Sequence, residues 1–202
     1  MEKTVIHPNF DQERVGYVIN SEFSEASKQK IQQLQNALVQ RFGDALLIPE
    51  PDTLHITLMD WLAPLVDYSK DKDELYEEIK GSYDSAVTAD LEGVAPINVH
   101  FNAITAGPEA IFITGTDNGE YQNIRNGFLE RVELLPNTKK PPQIIHATVA
   151  RFSAEIDLAG VQDLVSQLNV DFVQTIDTFR LLRTTDTRMQ AKYILKLYQL
   201  AR

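Results

Sequence analysis

Two stretches decide the fold of this chain: Thr53-Leu54-His55-Ile56-Thr57-Leu58-Met59 and Ile144-Ile145-His146-Ala147-Thr148-Val149-Ala150. Each one alternates apolar residues with the polar pair His-x-Thr, and a period of two is typical of a half-buried β-strand. We therefore expect each histidine to share one face of its strand with the threonine two residues later. The apolar residues between them should face a core.

The elements around the two strands repeat at nearly the same offset. The two motif histidines are 91 positions apart, and two helical apolar stripes are 90 positions apart. These stripes are Ile31, Leu34, Leu38 and Phe42 in the first helix and Tyr121, Ile124, Phe128 and Val132 in the second. Such internal periodicity predicts a duplicated unit of roughly residues 14–105 and 109–200. The alternative is that similar stripes arise by chance in any α+β protein.

We interpret residues 1–202 as a single bilobal α+β domain. A pseudo-two-fold axis would relate two antiparallel sheets that face a central cleft, with the helices outside. The length fits one such domain. Zero cysteines leave no disulfide framework, thiol nucleophile or cysteine-ligated zinc.

Localisation and charge narrow the class of partner. No apolar run approaches the ~18 residues of a membrane-spanning helix, and the first eight residues lack a signal-peptide core. We therefore expect a cytoplasmic monomer that binds no membrane. The net charge is -10, with 8 Lys and Arg against 18 Asp and Glu in residues 1–100, and 11 of each class in residues 101–202. This balance favours a small anionic ligand over a long nucleic acid.

The paired motifs indicate acid–base chemistry at phosphorus. An imidazole titrates near pH 6.5, so two of them can serve as general base and general acid. Threonine hydroxyls donate hydrogen bonds to anionic oxygens. Together they match the opening of a cyclic phosphodiester, a reaction for which we expect no metal and no cofactor. The structural alternative is that such a histidine only packs, which is our interpretation of His7 and His100, since both lack the pattern.

At these residues the sequence resembles the 2H phosphoesterase superfamily, which includes LigT-like 2'-5' RNA ligases and 2',3'-cyclic phosphodiesterases. The two His-x-Thr/Ser-x motifs of that family are matched by His55–Leu58 and His146–Val149. The resemblance implies a bilobal pair of antiparallel sheets around a cleft. It also implies that His55 and His146 are the acid–base pair, and that Thr57 and Thr148 hold the phosphate.

Three further residues are candidates for substrate binding. Arg151 follows the second motif in His-Ala-Thr-Val-Ala-Arg, which resembles the LigT-like His-x-Thr-Leu-Ala-Arg. It could hold a phosphate, or it could be a salt-bridged residue at a strand end. Trp61 lies just beyond the first motif, where a base could stack on it, although a buried anchor is the alternative. Tyr17 is a candidate of the same kind.

The expected function is metal-independent hydrolysis of a cyclic phosphodiester, either a 2',3'-cyclic nucleotide or the cyclic end of an RNA. One alternative is cleavage of 2'-5' linked oligonucleotides or their ligation. Another is a nucleotide- or RNA-binding module without turnover. The acidic surface favours the nucleotide-sized substrate over long RNA.

Overall fold

Residues 2–6 and 12–201 are described by a computed structural model, and within these ranges the chain forms nine β-strands and four α-helices. The strands are β1 (Glu13–Glu22), β2 (Leu46–Leu47), β3 (His55–Leu62), β4 (Ile97–Ala106), β5 (Ala110–Thr116), β6 (Ile145–Phe152), β7 (Phe172–Ile176), β8 (Thr178–Asp186) and β9 (Lys192–Gln199). The helices are α1 (Glu25–Phe42), α2 (Lys72–Leu91), α3 (Glu120–Arg131) and α4 (Leu158–Val165). His7 lies outside the described residues.

The strands form two antiparallel sheets, with the orders β3-β1-β8-β9 and β2-β6-β5-β4-β7. The predicted α+β class with paired antiparallel sheets is therefore confirmed. The motif strands β3 and β6 hold equivalent places, because each pairs with the opening strand of its half, β1 or β5. The bounds of the proposed repeat units remain an interpretation.

Each sheet contains strands from both halves of the sequence, although the repeat suggests one half per lobe. The third strand in the first sheet is β8 from the second half, and the fourth strand in the other sheet is β4 from the first half. Strands that pair in this way bury apolar faces against partners far away in sequence. The two lobes therefore interlock, and neither sheet is complete without the other half of the chain.

The helices pack on the sheets through the predicted apolar stripes. Ile31, Leu34 and Leu38 are buried in α1, and Gly43 ends this helix with a φ of +52°, a conformation that favours glycine. In the described ranges, no helix is both long enough and apolar enough to cross a bilayer.

A β-bulge interrupts β3 immediately after the first motif. Thr57 pairs with Asn20 of β1 and Met59 pairs with Ile19, so Leu58 is one extra residue between two paired positions. A bulge of this kind shifts the alternation of faces by one residue. Leu58 and Met59 are consequently both buried, and the next residue on the face of Thr57 is Asp60.

The same irregularity occurs in β6. Thr148 pairs with Phe112 of β5 and Ala150 pairs with Ile111, which leaves Val149 as the extra residue. Val149 and Ala150 are both buried, and the next half-buried position is Arg151. Each motif strand therefore presents three side chains on one face: a histidine, a threonine, and a charged residue five positions after the histidine.

Candidate active site

The two motif strands meet at one cavity of about 390 Å³. All four motif side chains line this cavity: His55, Thr57, His146 and Thr148. Strands β3 and β6 contact each other, and this contact brings residues from the two sequence halves to one site. A second, more open cavity of about 470 Å³ shares His146 and Thr148 with the first and extends along the turn before β5.

The ring of His55 is held in one orientation by the main chain. Its Nδ1 lies 2.7 Å from the carbonyl oxygen of Thr53, and because a carbonyl only accepts, Nδ1 is the donor. In the neutral ring the other nitrogen, Nε2, is then unprotonated. Burial lowers the pKa of His55, and the positive charges of Lys192 and Arg151 act in the same direction.

His146 has a similar position but a different hydrogen-bond environment. Its Nδ1 is buried and lies near the carbonyl of Ile144, which opposes the lowering of the pKa, but it forms no hydrogen bond of good geometry within the described residues. The carbonyl of Ile144, which precedes His146 as Thr53 precedes His55, accepts a 3.2 Å hydrogen bond from Arg125. Burial lowers the pKa of His146, and the charges of Arg125 and Arg151 lower it further.

The two motif hydroxyls carry unused hydrogen-bonding capacity. Thr57 and Thr148 are half-buried and line the cavity. Neither side-chain oxygen has a hydrogen bond to another described residue, whereas the hydroxyl of Thr53 nearby donates a 2.8 Å hydrogen bond to the carbonyl of Glu50. Polar groups in such positions normally find a partner. The two motif hydroxyls are therefore available to a ligand.

A buried arginine forms hydrogen bonds to the main chain at both motif strands. Arg125 of α3 is 1% exposed. Its Nε donates a 2.8 Å hydrogen bond to the carbonyl of Leu58, and its Nη2 donates one of 2.9 Å to that of Thr57. Its Nη1 donates to Ile144, immediately before β6. The guanidinium therefore binds the main chain at the bulge of one motif strand and at the start of the other.

Arg125 is not among the residues that the sequence motifs indicate. A signal was nevertheless present, because Arg125 lies four residues after Tyr121 and three before Phe128, on the face of the predicted apolar stripe. Its guanidinium lies 5.1 Å from the centre of the Tyr121 ring. A charged residue inside an apolar stripe was the only available indication of this contact.

Charged side chains of both signs complete the cavity wall. Arg151, Lys139 and Arg188 line it together with Asp60 and Glu50, and neither carboxylate belongs to a motif. Burial raises the pKa of Asp60 to about 6, although the charges of Lys139 and Lys72 oppose the shift. Burial lowers the pKa of Arg151. No three His, Asp or Glu side chains within residues 2–6 and 12–201 come close enough together to hold a metal ion.

The structure does not place Trp61 at the cavity, which corrects one of the candidate substrate contacts. Trp61 is 0% exposed and packs edge-on against Tyr83 at 5.6 Å. Strict alternation from His55 would put Trp61 on the cleft face, but the bulge at Leu58 turns it into the core. Trp61 is therefore a buried core residue, which was the alternative to base stacking.

Tyr17 is the second correction. It is buried in β1, its ring stacks on Tyr76 at 4.0 Å, and its hydroxyl donates a 2.6 Å hydrogen bond to Asp73. Asp73 also accepts two hydrogen bonds from Arg183. Because this network satisfies the hydroxyl and packing covers the ring, Tyr17 supports the sheet and cannot contact a ligand in the cavity. His100 is exposed on β4, where its Nε2 lies 2.7 Å from Asp171.

Comparison with known proteins shows the same fold in several solved structures. A scan against protein-family models finds no match, and a search of curated proteins finds none. The structure of TT0787 from Thermus thermophilus is 16% identical, with 92% of this chain and 97% of that chain covered at a TM-score of 0.61. A phosphoesterase is 12% identical, with 93% and 99% covered at a TM-score of 0.63.

Escherichia coli LigT in complex with 3'-AMP is a further example. It is 13% identical, with 94% of this chain and 99% of that chain covered at a TM-score of 0.60. At such identities a likeness shows the fold alone. The chain therefore has the LigT-like fold that the two motifs implied.

Proposed function

We propose that this chain is a metal-independent phosphodiesterase of the 2H phosphoesterase superfamily, and that it hydrolyses a cyclic phosphodiester. The observation that carries the proposal is the convergence of His55, Thr57, His146 and Thr148 on one cavity. Two imidazoles and two hydroxyls open to a ligand are what opening a phosphodiester ring requires.

The reaction follows from the roles that these groups can fill. One imidazole accepts a proton from water as the water oxygen bonds to phosphorus. The ring P–O bond breaks, and the other imidazole gives its proton to the departing sugar oxygen. The product is a phosphate monoester beside a free hydroxyl. The hydroxyls of Thr57 and Thr148 donate to the non-bridging oxygens, where negative charge accumulates.

Charge and size support a nucleotide or a short RNA end as substrate. Arg151, Lys139 and Arg188 outnumber the carboxylates Asp60 and Glu50 at the cavity, whereas the chain as a whole carries -10. A focused positive site on an acidic protein attracts a small anion but not a long polyanion. LigT of Escherichia coli, which shares the fold, has been crystallised with 3'-AMP and with phosphate.

Turnover of 2',3'-cyclic nucleotides in EDTA tests the proposal. We expect His55→Ala and His146→Ala each to lower kcat by about 10²- to 10⁴-fold, because each removes one proton-transfer group. His100→Ala is the matched control, since it removes an exposed histidine outside the cavity. Undiminished turnover in either motif variant would contradict the mechanism.

The same assay separates the alternatives. Faster cleavage of 2'-5' dinucleotides than of cyclic mononucleotides would assign a linear phosphodiester as the substrate. Tight binding of cyclic nucleotides without any product would instead identify a binding module. Activity that appears only after a divalent cation is added would overturn the metal-independent assignment.

A further inference from the structure

Asp60 is one of two carboxylates that border the cavity beside three basic side chains. It lines the same cavity as both motif histidines. Its carboxylate has neither a hydrogen bond nor an ion pair to any described residue, although it is half-buried. A half-buried carboxylate that lines a cavity without a protein partner can accept hydrogen bonds from a ligand.

Neighbouring lysines do not supply that partner. Lys72 is near enough to influence the pKa of Asp60, but its ammonium donates to the carbonyls of Val15, Ala63 and Pro64 at 2.9, 2.9 and 2.8 Å. An ammonium has three hydrogens, so these contacts use all of its donors. Lys139 also lines the cavity but forms no ion pair with Asp60 within the described chain.

Asp60 occupies in β3 the place that Arg151 occupies in β6. Each follows its motif histidine by five residues, and each comes to the cleft face through the bulge after its threonine. The two walls are thus matched in geometry but opposite in charge. This arrangement suits a ligand with an anionic phosphate and, at a distance from it, a group that donates hydrogen bonds.

The place of Asp60 beside Thr57 indicates which part of a nucleotide would reach it. Asp60 and Thr57 pair with Val18 and Asn20 of β1, which are two residues apart, so the two side chains leave the sheet ~6.6 Å apart. A nucleotide with its phosphate on the Thr57 hydroxyl would turn its nucleoside towards Asp60, because a carboxylate repels the phosphate and accepts hydrogen bonds from N–H donors. In such a complex the carboxylate would contact the nucleobase, the part of the substrate that differs between nucleotides.

We propose that Asp60 is a base-recognition residue that selects guanine, an inference that rests on the proposed function. An ionised carboxylate accepts hydrogen bonds through two oxygens and donates none. The Watson–Crick edge of guanine presents two adjacent donors, N1–H and N2–H₂, which match those oxygens. Adenine and cytosine each present one donor beside an acceptor, and uracil presents one donor between two acceptors. The carboxylate must be ionised to accept both hydrogen bonds, and with a pKa of about 6 it is ionised at neutral pH.

A substrate panel tests this assignment. We expect kcat/KM at pH 7.5 to be at least tenfold higher for 2',3'-cyclic GMP than for the AMP, CMP and UMP analogues, because sites built to bind an N–H discriminate strongly against ligands without it. The cyclic phosphate of inosine, which keeps N1–H but lacks the amino group, should fall between. Asp60→Asn should reduce the guanine preference to threefold or less while turnover of the other substrates persists.

Controls separate this inference from the proposed function. Glu50→Gln removes another carboxylate that borders the cavity and should keep the guanine preference. Equal rates for all four bases, or an unchanged preference in Asp60→Asn, would overturn the role of Asp60 and leave the phosphodiesterase assignment intact. If no cyclic nucleotide is turned over, the proposed function fails. Equilibrium binding of 3'-GMP against 3'-AMP then decides the role of Asp60, which equal affinities would refute.

Discussion

The Nη2 of Arg125 donates a 2.9 Å hydrogen bond to the main-chain carbonyl of Thr57. Through this contact, a helix of the second half of the chain holds the motif strand of the first half beside its bulge. The same guanidinium also binds Ile144 at the start of the other motif strand. The relative position of the two catalytic candidates, His55 and His146, therefore depends on one buried side chain.

Replacement of Arg125 should impair positioning as well as stability. Arg125→Lys keeps the charge but replaces the spread donors of the planar fork with one ammonium on a different stem, which cannot reach the carbonyls of both motif segments at once. We expect kcat to fall at least tenfold, and the free energy of unfolding to fall by about 2–4 kcal/mol because buried acceptors lose their donor. Urea unfolding and steady-state kinetics on the folded protein measure the two effects.

Arg41→Lys, on the exposed face of α1, is the control. A folded Arg125→Lys protein with unchanged kcat would show that the contact is purely structural.

The pH dependence of kcat/KM should be bell-shaped with its maximum below pH 6.5. Burial lowers the pKa of both His55 and His146 from the usual 6.5, and the profile of kcat/KM reports the groups of the free enzyme. The protonated acid is therefore lost before neutrality, and the rate declines as the pH rises. Because burial raises the pKa of Asp60 to about 6, the profile should also be recorded with Asp60→Asn. A plateau that extends to pH 8 in both proteins would contradict the assignment.

The buried charge of Asp60 should cost stability above pH 6. Its pKa of about 6 in the folded state exceeds the usual value near 3.9, so the folded protein binds the extra proton as the pH falls through 6 towards 4. Asp60→Asn should therefore be more stable than wild type at pH 8, by about 2 kcal/mol at roughly 1.4 kcal/mol per pKa unit with allowance for partial exposure. That advantage should shrink towards pH 4.

Urea unfolding of both proteins at pH 8 and pH 4.5 measures the difference. Glu50→Gln, which removes an exposed carboxylate near the cavity, is the matched control. A stability difference that is independent of pH would mean that the carboxylate of Asp60 is not the source.

The hydroxyl of Thr57 should matter more than its methyl group. Thr57→Val is nearly isosteric but has no donor, whereas Thr57→Ser keeps the hydroxyl. We expect kcat to fall about 10²-fold in the valine variant, which is typical for the loss of one donor to a developing oxyanion, and less than about fivefold in the serine variant. We expect the same difference in kcat between Thr148→Val and Thr148→Ser. Equal kinetics for the valine and serine variants would exclude hydrogen bonding to the phosphate.

Local sequence signals predicted the motif strands, but their exact geometry depends on distant partners. The alternation around His55 and His146 is a local property, so the side chains on the cleft face up to Thr57 and Thr148 followed from it. The bulges are defined by pairing with β1 and β5. Without them, Trp61 would be placed on the cleft face and Asp60 in the core, the reverse of the structure.

Local patterns also could not predict that β4 and β8 each join the sheet that contains the motif strand of the other half. Both strands have ordinary apolar character, and only pairing over long sequence distances decides which sheet each one joins. Arg125 was missed for a related reason: a charged residue on a helix is usually solvated, and its burial depends on three carbonyls from other elements.

A double-mutant cycle on the two histidines tests the central claim most directly. Wild type, His55→Ala, His146→Ala and the double variant are compared for turnover of the best 2',3'-cyclic nucleotide in EDTA. If both imidazoles act on one phosphoryl group, each single replacement removes most of the catalysis. The double variant should then be within about tenfold of the slower single variant, because groups that act as a unit are strongly non-additive. Losses that multiply, or a single variant as fast as wild type, would show that the two rings do not serve the same reaction.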